Sequence, residues 1–162
     1  MSGLFAFTAS IAETDGELKA IEESMKELMD HEVLVGIPED GGGKESGISN
    51  AALLFIHTNG SPLNGIPARP VIEAALEHDV DQVSAILQDC ADAGVSGDAS
   101  RVKPALERAG MQGQNICRGW FDNGANGWKD NTDETIKRKG SAKPLIDTGQ
   151  MRTAITYKVE RV

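Results

Sequence analysis

The stretch KGSAKPLIDTGQMRTAITYKV, residues 139–159, joins a basic loop to a short helix and an alternating strand. Pro144 ends the loop, because proline lacks the amide hydrogen that the interior of a helix requires. Asp147 and Thr148 have side-chain oxygens that accept from the amides of a first helical turn, so we expect one of them to cap a one-turn helix. Arg152 lies near enough in sequence to form a catalytic cluster with them, but a structural role for the stretch is the simpler interpretation.

Three apolar runs predict strands. The C-terminal run AITYKVERV alternates apolar and polar residues, which is typical of a half-buried strand. The run EVLVGIP is rich in β-branched residues and stops at Pro38, so it predicts a buried strand. The run LFAFTASIA, residues 4–12, predicts a short edge strand. Together with the helices described next, these runs predict an α+β fold: a small antiparallel sheet, two or more helices packed on one of its faces, and extended loops.

Apolar residues at three- and four-residue spacing predict four longer helices. One spans residues 14–30, and a second begins at Ser49 and ends at Gly60. A third is predicted as one continuous helix over residues 70–94, and a fourth over residues 102–124. In the last two helices we expect an inward-facing set of apolar residues: Val71, Ala75, Val83, Ile86, Leu87, Cys90, Leu106, Met111 and Ile116.

Length and charge limit the organisation of the chain. At 162 residues it is expected to be a single domain, residues 1–162, with an exposed Gly-rich loop at about 39–48 and an irregular loop at about 123–145. The formal net charge of −9 disfavours binding to a DNA backbone through a broad basic face. Acidic residues concentrate in residues 13–45, and a small basic island is formed by Lys137, Arg138, Lys139 and Lys143.

The cysteines and the N-terminus indicate a reduced, cytoplasmic chain. Cys90 and Cys117 are far apart and belong to no CxxC pair, so neither a disulfide framework nor a zinc site is predicted. The sequence MSGLFAFTAS lacks the basic and apolar regions of a signal peptide. We therefore expect the protein to be made in the cytoplasm and to leave it only as part of a larger particle.

The motifs of enzymes are absent from the sequence. There is no G-x-S-x-G elbow, the three histidines are isolated, and Lys44 of the Gly-rich loop is followed by Glu45 instead of the serine or threonine of a phosphate-binding loop. We expect no catalytic residues, no metal and no cofactor. Two alternatives stay open: a small hydrolase that uses His57 with Asp147, and a DNA-binding regulator that uses the basic island.

Four segments, taken in order, carry a resemblance to a known family. They are VGIPED, AALLFIHTNGS, IPARPVIEAAL and TIKRKGSAKPLIDTGQMRTAI, and together they fall within residues 33–159. This succession resembles the tail-completion (virion morphogenesis) family of tailed bacteriophages, which are proteins of the neck that joins head and tail. The chain departs from the family at Val71, where an aromatic residue is common, and at Lys129 and Asp130, where Pro and Leu often follow the tryptophan.

The resemblance implies a structural protein of the virion. Such a protein would be assembled in the host cytoplasm into a homo-oligomeric ring, expected to be a hexamer, between the head connector and the tail. Its partners would be connector or head-completion proteins and tail terminator or tail tube proteins, with DNA crossing the lumen without specific binding. A tail terminator, which caps growth of the tail tube, is the alternative from the same particle.

Specific residues follow from the resemblance and from their chemistry. Arg69 lies between two prolines and is expected to hold a fixed fork toward a carboxylate or toward carbonyls, and His57 is expected to satisfy carbonyls at a helix end. The structural set is His57, Pro67, Pro70, Asp147, Thr148 and Gly149. The candidates for assembly contacts are Glu39, Asp40, Lys44, Glu45, Arg69, Lys137, Arg138, Lys139 and Lys143.

Overall fold

The computed structural model describes residues 2–39 and 47–162, with the backbone alone described over residues 2–14. This described part contains seven α-helices and one two-stranded antiparallel sheet, which confirms the predicted α+β class. The helices are α1 (Ser2–Met29), α2 (Asn50–Asn59), α3 (Ile72–His78), α4 (Val80–Gly94), α5 (Val102–Gly119), α6 (Asp133–Lys139) and α7 (Gln150–Ala154). The paired strands are β1 (His31–Gly36) and β2 (Thr156–Arg161). Within the described ranges, no helix is long and apolar enough to cross a membrane.

The predicted edge strand over residues 4–12 is wrong, because α1 already begins at Ser2. The run contains three alanines, Ala6, Ala9 and Ala12, and alanine has the highest helix propensity. No proline separates the run from the helix predicted after it, so one helix continues through both. The helix predicted to begin at residue 14 therefore begins twelve residues earlier.

Contacts divide the chain into two compact units. The first comprises the described residues up to Leu34, with Ser84–Gly110 and Val159–Val162. Its core is built from α4 and α5, with partly buried side chains from α1 and both strands packed against them: Cys90, Ala93, Val102, Ala105 and Leu106, with Leu28, Val33, Ala109 and Val159. Ser24 of α1 is fully buried, and its hydroxyl donates to the Gly94 carbonyl at 2.5 Å.

The second unit comprises Val35–Val83 and Met111–Lys158. Its two tryptophans are buried and meet at one carbonyl oxygen: the indole Nε1 atoms of Trp120 and Trp128 both donate to the carbonyl of Pro70, at 3.2 and 3.3 Å. Phe121 packs edge-on against Trp128, with ring centroids 5.7 Å apart. The loop that ends at Pro70 and the segment from Trp120 to Trp128 are thereby fixed to each other.

The buried faces of the middle helices differ in part from the expectation. The helix predicted over residues 70–94 is two helices, α3 and α4, interrupted at Asp79. Leu87 is 63% exposed, because the buried face of α4 follows Ile86, Cys90 and Ala93 at helical spacing and Leu87 lies about 100° around the axis. Six of the predicted inward residues are buried: Val71, Ala75, Ile86, Cys90, Leu106 and Ile116.

Two apolar residues that were predicted to be buried, one in α5 and one in β1, are exposed. Met111 is 48% exposed, because the buried face of α5 passes through Gly110 and Gly113 instead. A side chain at Gly113 would come within 3.1 Å of Cγ2 of Val35, so glycine allows β1 to approach closely there. The expectation that β1 is buried is wrong, since Leu34 is 45% exposed and the strand alternates half-buried and exposed residues along most of its length.

Candidate functional site

A cavity of about 610 Å³ lies within the second compact unit. Four stretches line it: the inner face of α2, the loop at residues 64–69, the segment at residues 129–139 and the turn at residues 145–151. Three of the four segments that carry the family resemblance therefore meet at this cavity.

Helix α2 forms one wall because both of its ends are fixed locally. Ser49 caps its start, as predicted, by accepting from the Ala52 amide at 3.1 Å. Gly60 ends it with φ 73° and ψ 176°, a conformation that essentially only glycine adopts. The chain then folds back, so that the amide of Arg69 donates to the carbonyl of His57 at 2.6 Å.

The guanidinium of Arg69 links the proline loop to the segment after Trp128. Arg69 is only 7% exposed, and the Nη2 atom of its guanidinium donates to the carbonyl of Lys129 at 2.6 Å and to Oδ1 of Asn131 at 3.5 Å. The sequence predicted that Arg69 would bind either a carboxylate or carbonyls, and the structure shows a carbonyl. Nε of Arg69 is buried without a partner, and burial lowers the pKa of the guanidinium.

Asn131 extends this connection to the basic loop. Its Nδ2 donates to the carbonyls of Ala142 and Lys143, each at 3.1 Å, while its Oδ1 faces Arg69. Nζ of Lys139 also donates to the Lys143 carbonyl, at 3.4 Å. One asparagine thus joins the Arg69 side chain of the IPARP loop to the backbone of the SAKP loop.

Asp122 forms an exposed ion-pair cluster next to this loop. Its two carboxylate oxygens accept from Nζ of Lys143 and from Nη1 of Arg152, each at 2.5 Å. The hydrogen bond from Lys143, followed by the charge of Arg152, lowers the pKa of Asp122. Lys143, a predicted assembly residue, therefore has a partner within its own chain.

Helix α7 forms where the DTG sequence predicted a capped turn. Gly149 precedes it in the left-handed conformation with φ 78°, and the Thr148 hydroxyl accepts from the Gln150 amide at 3.4 Å. Arg118 of α5 satisfies the other end of this helix, because its Nε and Nη2 donate to the carbonyls of Ile155 and Thr153, at 2.9 and 2.8 Å. Thr148 thus accepts from the Gln150 amide as predicted, but the N-cap position itself is Gly149, which has no side-chain cap, and Asp147 lies exposed at the cavity.

His57 lies half-buried at the cavity, and its Nδ1 is buried without a hydrogen-bond partner. Burial lowers its pKa, and the charges of Arg69 and Lys139 lower it further. His57 was expected to satisfy carbonyls at the helix end, but its Nδ1 bonds to none of them, and the carbonyl of His57 itself accepts from the Arg69 amide. Asp147 reaches the same cavity but does not orient His57, as a hydrolytic pair would require.

The remaining predicted residues divide into three groups. Pro67, Arg138 and Lys139 line the cavity, whereas Lys137 of α6 is exposed and does not line it. Glu39 is exposed at a turn. Asp40, Lys44 and Glu45 lie outside the described residues.

Sequence reasoning missed the side chains that hold the site together: Arg118, Trp120, Asp122 and Asn131. Their partners lie 11 to 62 residues away in sequence, so no local pattern signals them. In the sequence, Arg118 is an isolated arginine and Asn131 is part of the polar run KDNTDE. Both therefore resemble ordinary surface residues.

Comparisons with models of protein families, with curated proteins and with solved structures give no match. Across the part of the chain that the structure describes, no three histidine, cysteine, aspartate or glutamate side chains are grouped as a metal site requires.

Proposed function

We propose that this protein is a structural component of the neck of a tailed bacteriophage, of the tail-completion kind. The observation that supports this most is that three segments of the resemblance converge on one cavity and are fastened there. Arg69 and Asn131 connect the IPARP loop to the SAKP loop, and α2 and α7 contact each other. Segments that meet at one cavity are expected to occur together in one chain, as these short sequences do.

The way these residues use their hydrogen-bonding groups favours a structural role over a catalytic one. Arg69, Asn131 and Arg118 direct their donors to backbone carbonyls of distant segments. Catalysis by His57 would need a third group that orients the imidazole, and its Nδ1 has none. We therefore assign no reaction to the protein.

In this proposal the subunits form a homo-oligomeric ring, expected to be a hexamer, between the head connector and the tail. Its neighbours in the particle are connector or head-completion proteins and tail terminator or tail tube proteins. The net charge of −9 suits a channel through which DNA passes without adhering.

Opposite charges support contacts between subunits. Helix α1 exposes acidic side chains that include Glu22 and Glu23, and α6 exposes Lys137. Light scattering at low and high salt tests this pairing: we expect a ring mass that falls in about 1 M salt, where the Debye length is about 3 Å. Lys137→Glu should weaken the ring, and Lys103→Glu, at an exposed lysine of α5, is the matched control. A monomer mass at every salt and protein concentration would contradict self-assembly.

A nonsense mutation in the gene tests the role in the particle. We expect full heads and tails of normal length that remain unjoined in electron micrographs, with joining restored by the wild-type gene supplied in trans. Tails of abnormal length would identify a tail terminator instead. Infectious, joined particles at normal yield would exclude both roles.

A further inference from the structure

The cavity of the second unit is cationic in a chain that is acidic overall. Its described lining holds two carboxylates against four basic side chains: Asp130 and Asp147 against Arg69, Lys129, Arg138 and Lys139. The chain as a whole has 25 acidic and 16 basic side chains. The cavity lining is therefore net positive, whereas the whole chain is net negative.

Arg69 at this cavity is a buried cation without a counter-charge. Its Nη2 has only neutral partners, the Lys129 carbonyl and the Asn131 amide oxygen, and its Nε has none. Among the described residues no carboxylate forms an ion pair with it. A buried cation in this condition is costly, and an unsatisfied buried donor usually indicates a missing acceptor. A carboxylate fits the planar fork of a guanidinium better than any other common acceptor in proteins.

Two further side chains, Lys139 and His57, line the cavity beside Arg69. Burial lowers the pKa of the Lys139 ammonium, and the nearby charges of Arg69 and Arg138 add to this, while Asp147 opposes it. Nδ1 of His57 is, after Nε of Arg69, a second buried nitrogen without a partner. An anion placed among Arg69, Lys139 and His57 would relieve the mutual repulsion of the cations and accept from donors that are now unused.

The shape and the remaining lining favour a peptide over a nucleic acid. A cavity of 610 Å³ falls within the range of about 300–1,000 Å³ that is usual for binding sites. Part of its wall is apolar, which suits the backbone and aliphatic carbons of a peptide; this part is formed by Leu53, Ile66 and Met151. Asp130 and Asp147 would repel a continuous row of phosphates, whereas an acidic peptide can place a single carboxylate between them.

We propose that the cavity binds a carboxylate side chain of an acidic peptide segment from a protein partner, recognised by Arg69 and Lys139. This binding goes beyond the neck assignment and does not depend on it, since it follows from the charges and unpaired donors of a single chain.

A pair of peptides provides the probe. The first is an N-acetylated, C-amidated pentapeptide that alternates glycine with glutamate, and the second has glutamine in place of glutamate. We expect saturable binding of the acidic peptide below about 1 mM in calorimetry, and none of the amide peptide. We also expect the pKa of His57, followed by NMR, to rise when the acidic peptide binds, because the carboxylate offsets the cations beside it.

Two lysines of the same helix provide matched variants. Lys139→Gln, at the cavity, should weaken binding about tenfold, as expected for the loss of a close charge pair. Lys137→Gln removes the same charge at an exposed position outside the cavity and should leave binding unchanged. If Lys139→Gln does not give a dispersed amide spectrum, Arg138→Gln, which also lines the cavity, takes its place with the same expectation.

Three results would overturn the proposal. The first is absence of saturable binding of the acidic peptide. The second is an equal loss of affinity in the cavity variant and in Lys137→Gln, which would indicate attraction to surface charge alone. The third is tighter binding of inorganic phosphate or of a short DNA duplex than of the peptide, which would identify a phosphate site.

Discussion

Replacement of Gly60 by alanine should destabilise the protein more than any equivalent change in the neighbouring loop. Gly60 has φ 73° and ψ 176°, and conformations in that region cost a non-glycine residue about 1–3 kcal/mol. An added Cβ would also lie 2.7 Å from the Ala68 amide nitrogen and 2.9 Å from the Ile66 carbonyl oxygen. Both are backbone atoms, so relief would require the whole loop to move. We therefore expect a loss of about 3 kcal/mol or more in the free energy of unfolding.

Gly65 is the matched control for this change. It also has a positive φ, 65°, in the left-handed region, but a Cβ there would meet no atom within 4 Å. Gly65→Ala should cost only the backbone conformation, about 1 kcal/mol. In urea unfolding, a difference of about 2 kcal/mol between the two variants separates their midpoints by about 1 M at an m-value of about 2 kcal/mol/M.

The comparison also reports on the cavity, because the loop after Gly60 carries Arg69 to the carbonyl of His57. Gly60→Ala should shift the NMR resonances of His57, and Gly65→Ala should leave them in place. Equal destabilisation by the two alanines would refute the close approach of the loop to the end of α2.

Three further outcomes are expected. Trp120→Phe removes one of the two indole donors to the Pro70 carbonyl and should cost about 1 kcal/mol, measured by urea unfolding against wild type; no loss would show that Trp128 alone satisfies the oxygen. Because burial, Arg69 and Lys139 lower the pKa of His57 below 6.5, the unfolded chain binds more protons, so stability should fall as the pH drops below 6.5. His57→Gln should lose less stability between pH 7.5 and 5.5 than wild type, and an equal loss would contradict this. Burial raises the pKa of Cys117 to about 11, so its thiol at pH 8 should react with a disulfide reagent roughly a hundredfold more slowly than in urea, and equal rates would contradict its burial.

Local signals were sufficient to predict the segments that form the cavity. Ser49 and Gly60 predicted both ends of α2, and the DTG sequence and the alternation after it predicted α7 and β2. Capping groups and short periodicities act over three or four residues, so they can be read from one chain.

Features that depend on distant residues could not be predicted. The buried face of α5 follows Gly110 and Gly113 instead of Met111, because β1 packs there. The cavity itself depends on Asn131, which bonds to a residue 62 positions away. The strand predicted over residues 4–12 was wrong for another reason: its aromatic and β-branched residues favour a strand, but its three alanines favour a helix, and the helix that follows extends through the run.

The position of the protein in assembled particles tests the neck assignment most directly. Val162 is 82% exposed, so a histidine tag added after it should be accessible to nanogold. In electron micrographs of purified particles we expect gold at the junction of head and tail. Gold at the distal tip of the tail, or particles that contain none of the tagged protein, would contradict the account.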